Sequence, residues 1–393
     1  MARELAIYLY LKLFSFLFII AKLFPMQKKI VFCVSFIENN MYIYQELKKQ
    51  SSTSCIILAD NRTYSFFQDK VHDGDKVIQF IPKKPISFIK SIYHLATSPA
   101  IVLDNYFGFL SAVQFKEGVK KLQIWHANGA IKTFGWKDAS VEKRSEQSKK
   151  RFAKVYSQFD YIISGSETMS QIFQEAFSIS KEKIIHTGIP RTDIFFDKQY
   201  IESTKEKLYK KYAIFKHKKI ILYAPTFREN EEDISEVFPL NISYLKQKLG
   251  SDYILLIKLH PSINKKMNIN QYDGFVYDFS DYALINDLLF ISDILITDYS
   301  SIPFEYSFLQ KPMIFYPYDL EEYTRTRGFW TDYDSLVPGP VAYNTEDIVE
   351  NIINSSFNME QLDYFHQKWN TYSIGESSKN VVAFILDMID KEK

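Results

Sequence analysis

From residue 28 onward, short apolar runs alternate with longer segments whose apolar positions recur at helical spacing, the arrangement of parallel strands joined by helical crossovers. The runs "KIVFCVSF" (29–36), "SCIILAD" (54–60), "KVIQFIP" (76–82), "AIVLDN" (100–105), "KLQIWH" (121–126), "YIISGS" (161–166) and "KIIHTG" (183–188) predict the strands of a first α/β half. A charged, helix-prone stretch over 200–217 predicts a junction. The pattern then restarts with "KIILYAP" (219–225), "YILLIKLHP" (253–261), "GFVYDF" (274–279), "DILITDYSS" (293–301) and "PMIFYPYD" (312–319). These runs are apolar almost throughout, as in strands covered on both faces. The expected architecture is therefore α/β, with two Rossmann-like doubly wound domains facing a cleft, over 28–200 and 201–376. A closing helix over 377–393 carries Val381, Val382, Phe384, Ile385, Met388 and Ile389 at helical spacing, with Ser377 as its cap. Ligands in such sheets bind beyond the carboxyl ends of the strands.

Residues 1–27 form a separate element. "LAIYLYLKLFSFLFIIAKLF" is interrupted by Lys12 and Lys22, and the charge-free stretch between them is shorter than the ~20 residues of a spanning helix. At ~100° per residue, Glu4, Tyr8, Lys12, Ser15 and Lys22 share one narrow arc, broken by Ile19. That pattern predicts an amphipathic, membrane-associating helix lying in the interface, with Lys28 and Lys29 meeting an anionic cytoplasmic leaflet. The alternative is a helix packed on the protein's own core.

Composition narrows the function classes. A chain of 393 residues exceeds the ~250 to 300 that one core sustains, which fits two domains. With 48 basic against 47 acidic side chains there is no global field for nucleic acid, so any anion must be met locally. Cys33 and Cys55 both lie in strand-like runs, where reduced, buried thiols are expected rather than a disulfide or zinc site. The basic stretch 142–154, with Lys143, Lys150 and Lys154 at helical spacing, is a solvated face or a surface for anionic lipid.

Candidate chemistry stands where the apolar runs stop. His126 follows "QIW"; Thr226 and Arg228 follow "ILYAP"; His260 follows "LLIK"; Asp298, Ser300 and Ser301 follow "ILIT". Each has a structural reading beside the functional one. His126 is either a satisfied structural histidine or a catalyst, with Asn128 and Gly129 after it in a turn where backbone can approach a ligand. Asp298 and Ser300 either cap the next helix or open a phosphate seat. Arg228 is a surface charge or an oxyanion ligand. In "GIPRTDIFF", Arg191 and Asp193 either pair with one another or line the cleft.

Together, "WHANGAIKTFG", "GIPRTD", "LYAPTFR", "IKLHP", "ITDYSSIPFEYSFLQKPMIFYPYDLEEY" and "RGFWTDYDSLVPGP" run in order from about residue 121 to 340. This series resembles the CDP-glycerol glycerophosphotransferases, bacterial enzymes that build teichoic acids and related polymers. The resemblance implies a GT-B-like fold, peripheral attachment to the inner face of the cell membrane, and transfer of glycerol phosphate from CDP-glycerol to a polyprenyl diphosphate-linked saccharide acceptor with release of CMP. It implies His126 as catalytic base and His260 as a second catalytic histidine. Thr226, Arg228, Asp298, Ser300, Ser301, Arg327 and Gly328 match donor-binding positions, while Asn128, Gly129, Lys132, Arg191 and Asp193 match the acceptor side or cleft. No cofactor is implied, and no carboxylate cluster among these motifs calls for a metal. Thr133 stands where many relatives carry a second lysine, and Glu305 where they carry Asp. Rival readings are a ribitol-phosphate transferase using CDP-ribitol, a GT-B glycosyltransferase, and a catalytically idle membrane-bound scaffold of a wall-polymer assembly.

Overall fold

The computed structural model describes residues 2–226, 228, 239–259 and 270–390. The chain divides into two compact units. Unit 1 comprises Met1–Ala127, Gly135–Asp193 and Thr371–Lys393; unit 2 comprises Asn128–Phe134 and Ile194–Asn370.

Unit 1 is built on a seven-stranded sheet of β1 (Lys29–Val34), β2 (Ser54–Ala59), β3 (Lys76–Gln79), β4 (Ala100–Leu103), β5 (Lys120–Gln123), β6 (Tyr161–Ile163) and β7 (Ile184–Ile185). The spatial order is β3-β2-β1-β4-β5-β6-β7, and every pairing is parallel. Unit 2 holds five strands, β8 (Lys219–Tyr223), β9 (Tyr253–Ile257), β10 (Val276–Asp278), β11 (Ile294–Thr297) and β12 (Met313–Phe315), again all parallel, in the order β10-β9-β8-β11-β12. Each apolar run thus becomes a strand, and each strand stops one to four residues before its run does. The residues left over form the loops at the carboxyl ends, where the polar side chains stand.

Burial explains the near-continuous apolar character. All six residues of β1 are buried, as are all four of β4 and of β11. Cys33 and Cys55 are free and buried, packed into the sheet core of unit 1. Burial raises both thiols above the ordinary range, which disfavours the thiolate.

Two segments group differently from the expected boundaries. Asn128–Phe134, expected with the amino-terminal domain, belongs to unit 2, and the Ser377–Asp390 helix belongs to unit 1. Val381, Val382 and Ile385 of that helix are fully buried in the unit 1 core. Its first turn is capped by Asp193, whose carboxylate accepts from the amides of Ser377 (2.9 Å) and Ser378 (2.6 Å), while the Ser377 hydroxyl bonds to nothing. The cap expected at Ser377 is thus supplied from 184 residues away.

The amino-terminal helix, Ala2–Ala21, has two apolar faces. One packs on unit 1: Phe14 and Phe18 are buried, with the Phe14 ring 4.9 Å from Phe109 and 5.6 Å from Phe88, and Phe18 5.1 Å from Phe115. Each such burial stabilises by roughly 1.5 to 3 kcal/mol. The other face, with Leu5, Leu9, Leu13, Phe16 and Ile20, is exposed, as is Leu23 just beyond the helix. The reading of a helix packed on the protein's own core therefore holds for one face. By length and composition the helix is also sufficient to cross a membrane. Lys29, expected to meet the leaflet, is buried instead. Its ammonium bonds Gln27 Oε1 (2.7 Å), Thr97 Oγ1 (2.7 Å) and His94 Nδ1 (3.0 Å), and burial lowers its pKa to about 8.

Candidate functional site

In unit 1 the polar residues at strand ends build a mount for one imidazole. After β5, Trp125 takes φ 50°, a left-handed backbone that a bulky side chain rarely adopts. Three bonds hold it there: Gln123 Oε1 accepts from the Trp125 amide (2.9 Å), and Asn39 Nδ2 donates to the carbonyls of Ile124 (3.2 Å) and Trp125 (3.1 Å). The turn presents His126 half-buried, its ring stacked 4.3 Å from Phe36 at 12°. Nδ1 lies 3.1 Å from the Asp104 carbonyl oxygen. A carbonyl can only accept, so Nδ1 carries the hydrogen, and Nε2 of the neutral ring keeps its lone pair.

Asp104, at the end of the β4 run, fixes the opposite wall. Its Oδ2 accepts from the amides of Ser35 (2.7 Å) and Phe36 (2.8 Å) and from Asn40 Nδ2 (2.8 Å), which places the Phe36 ring against His126. Burial pushes this carboxyl up to about 7, against the pull of the three donors. Arg191 belongs to the same mount: its guanidinium donates to the His126 carbonyl (3.1 Å), and its amide donates to Asn39 Oδ1 (3.1 Å). Arg191 and Asp193 are not paired with each other. One braces the histidine turn and the other caps a helix.

Unit 2 gathers a second set at the carboxyl ends of β8, β11 and β12. Arg228 Nε and Nη2 make a bidentate bond to Asp319 (2.7 and 2.8 Å), Nη2 also reaches Asp298 Oδ2 (2.9 Å), and Nη1 donates to the Thr226 carbonyl (2.7 Å). The guanidinium lies 4.9, 5.1 and 5.0 Å from the ring centroids of Tyr299, Tyr318 and Tyr323. Desolvation works against its charge, but Asp319 and Asp298 outweigh that and raise its pKa. Of five guanidinium hydrogens, four are thus committed. Arg228 is chiefly the brace of this site, with one N–H uncommitted among the described residues. Asp298 is likewise consumed, its Oδ1 accepting from the amides of Thr226 (2.8 Å) and Tyr299 (2.6 Å).

Other groups here are not consumed. Thr226 Oγ1 is buried and has no hydrogen-bond partner. Ser301 precedes the short Ile302–Tyr306 helix without a side-chain cap bond, whereas Ser300 Oγ lies 2.9 Å from Thr297 Oγ1. Lys132, expected on the acceptor side or in the cleft, stands in this cluster. Burial lowers its pKa to about 8, with Asp298 raising it and Arg327 and Arg228 lowering it. Its ammonium lies 5.9 Å from the Tyr323 ring centroid.

What places Lys132 there is a pairing between two distant motifs. Lys132 bridges Phe329 antiparallel, the Thr133 amide donates to the Gly328 carbonyl (3.2 Å), and Thr133 Oγ1 donates to the Arg327 carbonyl (2.8 Å). Gly328 takes φ 75°, in the left-handed region that suits glycine. Asn128 and Gly129 secure the same segment by packing. Asn128 Nδ2 donates to Asn370 Oδ1 (2.6 Å), and a Cβ on Gly129 would lie 2.5 Å from the Phe304 ring. The glycine expected to let a ligand approach instead admits a phenyl ring.

His260 lies outside the described residues. Just before it, Lys258 donates to the Ser280 carbonyl (2.6 Å). Among the described residues no three His, Cys, Asp or Glu side chains gather as they would around a metal ion.

A profile of CDP-glycerol:poly(glycerophosphate) glycerophosphotransferase matches residues 15–387. The chain belongs to this family. It is 38% identical to the teichoic acid glycerol-phosphate primase of Bacillus subtilis (strain 168) over 365 residues, which span 92% of this chain and 93% of that one. It is 35% identical to the teichoic acid poly(ribitol-phosphate) polymerase of Bacillus spizizenii, across 95% of this chain and 59% of that longer one. A solved structure of the wall teichoic acid polymerase TagF superposes with TM-score 0.80 at 22% identity, covering all of both chains, and shows the GT-B-like fold. As a member of the glycerophosphotransferase family, the chain is an enzyme. Thr133 donates its hydroxyl hydrogen to the Arg327 carbonyl, so the segment is paired at this position without a charge. Glu305 is fully buried in unit 2.

Sequence reasoning missed Asp104, Asn39, Asp319, Tyr299 and Tyr323. Asp104 and Asp319 each close an apolar run, the same signal that singled out His126 and Asp298. Tyr299 and Tyr323 carried no signal, because nothing in the local sequence marks which tyrosines meet Arg228.

Proposed function

We propose that this enzyme transfers glycerol phosphate from CDP-glycerol to a hydroxyl of a polyprenyl diphosphate-linked acceptor, releasing CMP, in teichoic acid synthesis. The observation that carries the donor site is the buried, unpartnered Thr226 hydroxyl on the Asp298 and Arg228 frame, to which the half-buried Lys132 ammonium is also coupled. A buried hydroxyl without a partner is costly, and a diphosphate oxygen relieves it. Lys132, Thr226 and Ser301 bind the donor diphosphate, Arg228 holds their frame, and His260 is the donor-side histidine by family resemblance.

The acceptor oxygen attacks the phosphorus that bears glycerol, and the bond from that phosphorus to the CMP oxygen breaks. The acceptor proton passes to Nε2 of His126, and the electron pair leaves on CMP, where the fixed donors of unit 2 stabilise it. The acceptor is thereby activated in unit 1 and the donor held in unit 2. The exposed apolar face of the amino-terminal helix attaches the enzyme to the cytoplasmic face of the membrane; the buried opposite face supports a helix lying in the interface rather than crossing it.

Mass analysis of products formed on a synthetic polyprenyl diphosphate-linked acceptor tests this reading. CDP-glycerol should yield CMP and acceptor heavier by glycerol phosphate. CMP release with CDP-ribitol alone would replace the donor, and release from neither would leave a scaffold. The matched relatives include primases and polymerases, so the number of units added places this enzyme among them.

A further inference from the structure

The polar arc of the amino-terminal helix is partly taken up by unit 1: Tyr8 and Lys12 are exposed, whereas Glu4, Ser15 and Lys22 are half-buried. Glu4 accepts both terminal nitrogens of Arg151 (2.8 and 3.1 Å), tying the helix to the neighbouring Glu146–Ser157 helix. Farther along the same arc, Ser15 and Lys22 form one wall of a groove of about 530 Å³, with Gln114, Lys154 and Gln158 on the other side. This is ample for a phosphate headgroup. No acidic side chain lines it, so its two ammonium groups are not neutralised from within. The Ser111 hydroxyl on the rim gives its hydrogen to the Gly108 carbonyl, which leaves Ser15 and the two amides as neutral donors. The exposed apolar face with Leu9, Leu13, Phe16 and Ile20 lies on the helix beside this arc. A helix resting on a bilayer by that face brings the groove to the level of the lipid phosphates.

We infer that this groove is a binding site for the phosphate group of a membrane lipid, seated between Lys22 and Lys154 while the lipid chain lies along the exposed apolar face. The inference rests on the membrane attachment proposed above and adds to it a defined seat, apart from the catalytic groups. Lys154, one of the basic residues of the 142–154 stretch, acquires a role. Lys143 and Lys150, also exposed, do not line the groove.

Co-sedimentation of the full chain with vesicles tests the seat. Three compositions are used: phosphatidylcholine alone, phosphatidylcholine with phosphatidylglycerol, and phosphatidylcholine with polyprenyl diphosphate. Wild type should bind the first and bind an anionic mixture more tightly. The double variant Lys22→Gln/Lys154→Gln should keep the first affinity and lose about thirtyfold of the second, because both charge-assisted contacts to the seated phosphate go. The double variant Lys143→Gln/Lys150→Gln, of equal net charge, should lose much less. A loss confined to polyprenyl diphosphate identifies the acceptor lipid as occupant; equal losses with both identify any phospholipid. Equal losses for the two double variants, or none for the first, overturn the seat while attachment stands. Failure of wild type to bind any vesicle overturns both.

Discussion

The loop after β5 and the loops after β8 and β11 begin from the same arrangement, a polar side chain at the point where a buried parallel strand ends, and arrive at opposite uses. Around His126 the neighbouring polar groups are spent on the backbone. Asn39, Gln123 and Arg191 hold main-chain atoms, Asp104 holds the turn bearing Phe36, and the imidazole is oriented with Nε2 as its basic nitrogen. Around Arg228 the charges are spent on each other: one guanidinium takes two carboxylates. Position at a strand end therefore does not decide whether a side chain is reactive. The decision lies in how many of its hydrogen-bonding atoms remain after the frame is built.

Breaking that frame should have the largest effect. Asp298→Asn removes half of the charge that compensates Arg228 in a buried site, and loss of one partner from such a set costs about 3 to 5 kcal/mol; a denaturant melt should show it, and an unchanged midpoint would mean that the triad carries no strain of charge. Lys132→Gln leaves the frame intact and should raise KM for CDP-glycerol about tenfold, as the loss of one charge-assisted contact implies. The ammonium with pKa about 8 is charged below that value, so wild-type KM should rise as pH climbs through 8, and the rise should be absent in the glutamine variant. Gly129→Ala sets a Cβ against Phe304 and should cost about 1 to 3 kcal/mol of stability, with little change in KM. Smallest is Phe36→Leu, which removes the ring stacked on His126 and should lower kcat a few-fold without moving KM.

Much of the fold was legible because parallel strands buried on both faces leave unbroken apolar runs, and each such run from "KIVFCVSF" to "PMIFYPYD" became a strand. Their ends were less legible, since the last residues of a run are as apolar in a loop such as Tyr316–Pro317 as in β12. Partner sets were not legible at all. Arg228 and Asp319 are 91 positions apart, and Thr133 and Arg327 are 194 apart, so no local pattern announces that Lys132 stands with Arg228 and Asp298. The amino-terminal helix shows a different obstacle. A helix with two apolar faces has a periodicity that fits core packing and membrane contact equally, and only the rings buried against Phe14 and Phe18 tell which face is which.

The division of labour between the two units is tested most directly by His126→Gln, measured twice on the same preparation: CDP-glycerol affinity by calorimetry, and CMP release in the presence of acceptor. The account predicts donor affinity within twofold of wild type and turnover lower by about 10² to 10⁴, the range typical of a lost general base. Undiminished turnover, or a collapse of donor affinity alongside an intact fold, would contradict it.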